Sequence, residues 1–331
     1  MPGRYAEAHV SPQGAGDARP TALDIVTDET LEGKLSDKVV LITGCSSGLG
    51  VETARAMSAT GAKVYCTARD AAKGQKALEG VLEPGRVELL LLDLNSLESV
   101  RACAKDFLSK SDKLNIVINN AGIMATPTNV KTADGFEGQF GTNHLAHFLL
   151  FQLLKPTLLA SSTPEMNSRV VCVSSMGHRA SPPNFGDYNY DTTEYGAWKA
   201  YGQSKTSNIY MANEIDRRYG SRGLHGFSLH PGGIATGLQI HMSKEQTAAF
   251  SADEKTRQYM KSIPQGAATS VYAAVSREWE GKGGRYLEDC GDGVPNQPGH
   301  MEGYAAHAYN EEGGRKLWAD SCKMVGVEDD A

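Results

Sequence analysis

No block of basic residues long enough to follow a phosphate backbone occurs in this chain. Its 39 acidic side chains outnumber 33 lysines and arginines, for a net charge of −6, which disfavours a nucleic-acid partner. The most apolar stretches, Val87 to Leu94 and His147 to Leu154, are too short to span a bilayer. The N-terminus lacks the apolar core of a secretory signal. Asp17, Asp24, Asp28, Glu29 and Glu32 make it too acidic for a transit peptide. These absences predict a cytoplasmic location. Cys45, Cys66, Cys103, Cys172, Cys290 and Cys322 stand at neither zinc-ligand nor redox spacing, so they read as small buried hydrophobes in a reducing compartment. No short-period repeat interrupts the chain, nor does a Pro/Gly-rich linker in its middle. One domain over 37–331 is therefore expected, preceded by a flexible extension over 1–36 rich in Gly, Pro, Ala and acidic residues.

The chain does contain short apolar runs alternating with amphipathic segments. Val39 to Ile42, Lys63 to Cys66, Val87 to Leu92, Leu114 to Ile118, Arg169 to Val173 and Leu224 to Leu229 read as strands covered on both faces. The segments between them carry helical periodicity, as in Val51, Ala54, Met57 and Ser58. This alternation predicts an α/β fold, a doubly wound parallel sheet of about seven strands flanked by helices.

Thr43-Gly44-Cys45-Ser46-Ser47-Gly48-Leu49-Gly50 links the first strand to the first helix. Gly44 permits the tight turn, Gly48 lets backbone approach a phosphate, and Gly50 lets helix and strand pack closely. The helix N-terminus offers N–H donors and a positive dipole to a pyrophosphate. The pattern predicts a dinucleotide cradle of Gly44, Ser46, Ser47, Gly48, Leu49 and Gly50. At the end of the second strand, where an NAD site usually places a carboxylate, the chain reads Ala68-Arg69-Asp70. A guanidinium suits a 2′-phosphate, so NADP(H) is favoured over NAD(H). Asp70 is read as a helix cap. Asp93 and Leu94 end the third strand near the expected adenine, although Asp93 also suits a turn. Asn120, Ala121 and Gly122 follow the fourth strand and leave room for a ribose, while Asn119 is placed to tie neighbouring strands.

Tyr201 and Lys205 stand four residues apart on a helical stretch and so share one face. An ammonium there is expected to lower the phenol pKa and make a general acid/base. Tyr195 and Lys199 repeat the spacing, but Trp198 between them would crowd an approaching ring, so the later pair is preferred. His144, His147, His178 and His230 read as packing or hydrogen-bonding residues, and no metal is expected.

In this order, Thr43 to Gly50, Asn119 to Gly122, Asn143, Ser174-Ser175, Tyr201 to Lys205 and Pro231-Gly232 resemble the short-chain dehydrogenase/reductase family. Arg69-Asp70, Asn143 to Phe148, His178 and Gly284 to Leu287 resemble its retinol-dehydrogenase-like branch, which also takes in WW-domain oxidoreductases. The resemblance implies that Tyr201 exchanges a proton with the substrate oxygen and Ser175 hydrogen-bonds that oxygen. It implies that Lys205 holds the cofactor ribose and Asn143 a relaying water. Pro231, Gly232, Ile234 and Thr236 would face the nicotinamide carboxamide. It also admits a homodimer or homotetramer. Two segments are expected to cover the substrate. One, near 176–200, is rich in aromatics (Phe185, Tyr188, Tyr190, Tyr195, Trp198) that would either wall an apolar pocket or pin the loop itself. The other, near 237–263, could turn Leu238, Ile240, Met242 and Phe250 inward. The expected activity is NADP(H)-dependent interconversion of a ketone or aldehyde with an alcohol on a medium to large apolar small molecule. The alternatives are a catalytically silent dinucleotide-binding scaffold or sensor, and a sugar-nucleotide epimerase, against which the glycine spacing counts.

Overall fold

The computed structural model describes residues 3–243, 245 and 252–329. Among these, eight strands form one sheet in the order β3-β2-β1-β4-β5-β6-β7-β8. They are β1 Val39–Ile42, β2 Lys63–Ala68, β3 Val87–Leu91, β4 Ile116–Asn119, β5 Ser168–Val173, β6 Leu224–His230, β7 Arg285–Glu288 and β8 Gly291–Asp292. The first seven pair in parallel and β8 runs antiparallel to β7. The sheet thus has one strand more than expected, because the two-residue β8 is too short to leave an apolar run.

Alternation along each strand splits the core into two layers. Val40, Ile42, Val64, Ile118 and Val171 face helices Leu49–Ala59 and Ile263–Val275. Val39, Leu41, Tyr65, Val117 and Val170 face helices Leu97–Lys110, Ala146–Ser161, Ala197–Tyr219 and Glu311–Val325. Because β1 lies between β2 and β4, the winding direction reverses at its carboxyl end. A ligand crevice forms there in this architecture.

The segment expected to be loose is instead docked. Thr21 and Asp24 form a capping box that starts helix Ala22–Asp28, which buries Ala22, Ile25 and Val26. Tyr5 meets Tyr272 edge-to-face at 5.7 Å. Residues this short of periodic pattern gain their order from tertiary burial rather than from helix propensity. No helix among the described residues is long and apolar enough to cross a membrane.

Gly226 on β6 lies under the helix Ala197–Tyr219, where a Cβ would stand 2.1 Å from the Ala212 carbonyl oxygen. Gly226→Ala should therefore cost about 1–3 kcal/mol of stability through overpacking. Gly237→Ala, which would meet nothing within 4 Å, serves as the control. Denaturant unfolding of both variants checks this; equal midpoints would contradict it.

Candidate active site

The crevice begins at the turn after β1. Gly44 has φ +77°, and its close approach to Ala121 leaves no room for a Cβ, which would fall 2.8 Å from the Ala121 Cβ. A Cβ on Gly50 would stand 2.3 Å from the Gly44 carbonyl oxygen. Helix Leu49–Ala59 starts at Gly48 without any side-chain cap, so its first N–H groups remain available to an anion. Ser46, Ser47 and Leu49 line this turn, with Ser47 exposed. Thr236 faces Gly48 from across the crevice, 3.5 Å from where a Cβ would be. Residues 44–50 and 236 are therefore brought together as the sequence suggests.

Arg69 is exposed at the end of β2 and has no ion-pair partner among the described residues. Asp70 caps helix Ala71–Ala77 by accepting from the Lys73 N–H at 3.0 Å. Asp93 accepts from the Asn95 N–H at 3.0 Å, the turn-forming role, and Leu94 is buried in the core. Asn119 reaches across to the neighbouring strand β5, and Asn120 adds a second tie. Asn119 Nδ2 donates to the Cys172 sulfur at 3.9 Å, and Asn120 Nδ2 to the Thr43 carbonyl at 2.8 Å.

At the reacting end, Tyr201 is 2% exposed, and the Ser175 hydroxyl lies close enough to favour its phenolate. Ser174 points away, donating to the Lys205 carbonyl at 2.7 Å. Gly177 passes directly against the Tyr201 ring, where a Cβ would stand 2.6 Å from it. Lys205 Nζ lies 5.6 Å from the Tyr201 ring centroid and donates to the Val173 carbonyl at 3.0 Å. Asn143 sits in a π-helical turn, Gly141–Leu145. Its Nδ2 donates to the Ile123 carbonyl and to Ser204 Oγ, each at 2.9 Å, and its Oδ1 accepts from the Ile123 N–H at 2.8 Å. Gly122 keeps the gap between Asn143 and Lys205 open. A Cβ there would come within 3.1 Å of Asn143 Oδ1 and 3.4 Å of Lys205 Nζ.

The expected acidification of Tyr201 by Lys205 is not what this arrangement gives. Burial pushes the phenol up to about 12, with the Ser175 hydroxyl pulling it down. Burial likewise pushes Lys205 down to about 8. Helical spacing places the two groups on one face, but the ammonium is turned toward the Val173 carbonyl, and desolvation outweighs attraction.

His147, read from the sequence as a packing or hydrogen-bonding residue, joins the two ends. Its Nδ1 donates to the Asn143 carbonyl at 2.9 Å, which leaves Nε2 as acceptor for Thr43 Oγ1 at 2.9 Å. Burial holds it neutral, with a pKa of about 4. Thr43 Oγ1 in turn accepts from the Asn120 and Ala121 N–H groups, both at 3.0 Å. His144 bonds the Ser321 hydroxyl, at 2.9 Å.

Most aromatics of 176–200 pin the loop to the body. Tyr188 stacks on Phe140 at 5.0 Å and its hydroxyl donates to Asp320 at 2.7 Å. Tyr195 donates to the Thr126 carbonyl at 2.9 Å, while Lys199 is exposed; that pair forms no reactive site. Trp198, 39% exposed, stands edge-on to Tyr201 at 6.0 Å. Around Tyr201 gather Met124, Ala125, Ala197, Leu238 and Met242. Ile240 points outward, 79% exposed, and Lys244 and Phe250 lie outside the described residues. Pro231, Gly232 and Ile234 are buried beneath the crevice, next to His230, whose Nε2 meets the Tyr259 hydroxyl at 2.9 Å.

Comparison with known proteins agrees with this geometry. A family model described as short chain dehydrogenase matches residues 38–247. A curated relative from Penicillium rubens, short-chain dehydrogenase/reductase prx1, is 55% identical over 99% of this chain and 96% of its own length. Human retinol dehydrogenase 11 is 37% identical over 89% of this chain and 87% of its own. A crystal structure of an uncharacterised protein from Mycobacterium paratuberculosis superposes with a TM-score of 0.70 at 32% identity, covering 94% of this chain and 99% of that one. With the family's motifs gathered along one crevice, the chain belongs to the short-chain dehydrogenase/reductase family, in its retinol-dehydrogenase-like branch.

Proposed function

We propose that this protein is an NADP(H)-dependent oxidoreductase that interconverts a ketone or aldehyde with an alcohol on a medium to large apolar substrate. The observation that carries this reading is the gathering of Ser175, Tyr201, Lys205 and Asn143 close together, with Gly122 between Asn143 and Lys205, in a fold whose first crevice helix starts uncapped at Gly48. When bound, the dinucleotide supplies a hydride to the carbonyl carbon or takes one from the carbinol. Gly44, Ser46, Ser47, Gly48, Leu49 and Gly50 hold its pyrophosphate. Arg69, exposed and without a carboxylate partner among the described residues, answers a 2′-phosphate, while Asp70 is committed to its helix. Asn120, Ala121 and Gly122 leave room beside Lys205 for a ribose.

Ser175 and Tyr201 orient the substrate oxygen. In reduction Tyr201 releases its proton to that oxygen, and in oxidation it takes the proton back. A phenol raised by burial is a reluctant donor, so Ser175 shares the developing charge on the oxygen. Asn143 and Lys205, facing each other across Gly122, are placed to restore the proton. The apolar groups Met124, Ala125, Leu238 and Met242 around the phenol favour an apolar carbonyl and exclude water. The silent-scaffold alternative has no specific observation in its favour.

Three outcomes test the reading. Tyr201→Phe should lower kcat by at least about 10²–10⁴-fold while NADPH still binds, measured by turnover and by fluorescence titration; retained turnover would contradict the role. Arg69→Ala should weaken NADPH about tenfold or more and leave NADH nearly unchanged; equal losses would remove the 2′-phosphate contact. Lys205 gives a pH-linked prediction. It titrates at about 8 in the fold against 10.5 in the unfolded chain. Its burial therefore penalises folding fully below about pH 8, and the penalty is relieved as pH rises toward 10.5. Val173 keeps a second donor, Asn208 Nδ2 at 3.1 Å. Lys205→Met should accordingly abolish activity yet raise stability at pH 7 by about 1–3 kcal/mol, read by urea unfolding; a loss of stability would contradict the stated burial cost.

A further inference from the structure

The family model begins at Lys38, yet a residue well before it is bound into the reacting half of the molecule. Arg19 is 3% exposed. Its Nη1 donates to the Tyr259 carbonyl at 2.9 Å, and its Nη2 to the carbonyls of Met260 at 2.6 Å, Gly14 at 3.0 Å and Gln258 at 3.4 Å. Its Nε donates to Asp17 at 2.8 Å. Gln265, at the start of helix Ile263–Val275, closes the same knot. Its Nε2 donates to the Asp17 carbonyl at 3.0 Å and the Arg19 carbonyl at 3.1 Å, and its Oε1 accepts from the Gly16 N–H at 2.9 Å.

The backbone that Arg19 grips is in turn packed on the Pro231–Thr236 loop. The Lys261 N–H donates to the Gly233 carbonyl at 2.8 Å, and Ile234 pairs with Lys261 as a parallel bridge. Gly233 is walled on its open side by Met260 and Tyr259, whose atoms a Cβ would meet at 2.9 and 3.2 Å. The Lys261 side chain lies against Gly232 and bonds Asp289 at 2.5 Å. His9 approaches the same carboxylate at 3.8 Å. The chain therefore runs without a gap from residues 14–19, through 258–261, to 230–234.

We infer that the N-terminal segment is a strap whose Arg19 guanidinium sets the position of the Pro231–Thr236 loop, and with it the affinity for the nicotinamide half of the cofactor. The inference rests on the proposed NADP(H) site together with the family resemblance, which implies that this loop faces the nicotinamide. Arg19 is a positioning residue, because it touches the loop only through residues 258–261. An arginine suits the task, since its planar fork satisfies several carbonyls in fixed directions where a lysine would offer a single point. The Tyr259 carbonyl that it serves is buried, so losing the guanidinium would leave that acceptor to be satisfied by nothing this chain is seen to supply among the described residues.

The test compares two probes on the full-length protein: NADPH, and 2′-phospho-ADP-ribose, which lacks only the nicotinamide. Arg19→Ala should raise the Kd for NADPH about tenfold while the fragment's Kd stays within about twofold. Asp17→Asn, which keeps the shape and removes the counter-charge, should move both in the same directions by less and secures the test should Arg19→Ala fold poorly. Equal loss for both probes, or no loss for either in both variants, would overturn the inference while leaving the dinucleotide site intact. Wild-type protein that bound neither probe would overturn the reading of the site and the strap together.

Discussion

A phenol and an ammonium are held out of water side by side, and the rest of this fold serves that arrangement. Neither group gains from burial alone. Tyr201 is driven up to about 12 and Lys205 down to about 8, so each is made harder to charge. Their compensation is local: Ser175 at the phenol, and the Val173 carbonyl at the ammonium. Buried groups with so few partners are costly, and clusters of that kind concentrate where chemistry is done.

One continuous set of hydrogen bonds makes the cofactor turn and the reacting helix a single unit. It passes from Asn120 and Ala121 to Thr43, then to His147, to Asn143, to Ser204 and finally to the Tyr201 carbonyl, which accepts from Ser204 at 2.8 Å. Each member has its donor and acceptor roles fixed by the next, and low polarity around the set strengthens it. Asn143 stands in the π-helical turn Gly141–Leu145 and His147 in the helix that follows it, in keeping with the habit of such turns of marking functional sites. Thr236 above Gly48 and the strap beneath Gly233 complete the walls.

Much of this was legible in the sequence because it is carried by local chemistry. Val39 to Ile42 and Arg169 to Val173 could only be covered strands, and Gly44, Gly48 and Gly50 suited only a tight turn feeding a helix. Asp70 and Asp93 proved to be cap and turn former. What escaped depends on distant partners. Helix Ala22–Asp28 is too short to announce itself amid Gly, Pro and acidic residues, and it is ordered by the core it enters. That His147 would hydrogen-bond was legible, but not its partner, because Thr43, just past β1, is distant in the sequence. The i to i+4 spacing of Tyr201 and Lys205 gives the face they share, not the direction of the ammonium or the depth of burial. The aromatics of 176–200 were equally suited to a pocket or to a pinned loop, and Phe140 and Asp320 decide for the loop in the case of Tyr188.

The central claim, that a hydride reaches a carbonyl carbon while Tyr201 attends to its oxygen, is most directly tested by a single-turnover experiment. NADPH deuterated at the transferred position would be mixed with the protein and a panel of apolar ketones and aldehydes, and the alcohol products examined by NMR and mass spectrometry. The account predicts one deuteron bonded to the carbinol carbon and none delivered there from solvent. Product carrying solvent hydrogen at that carbon, or no reduction of any apolar carbonyl by protein that binds NADPH, would contradict it.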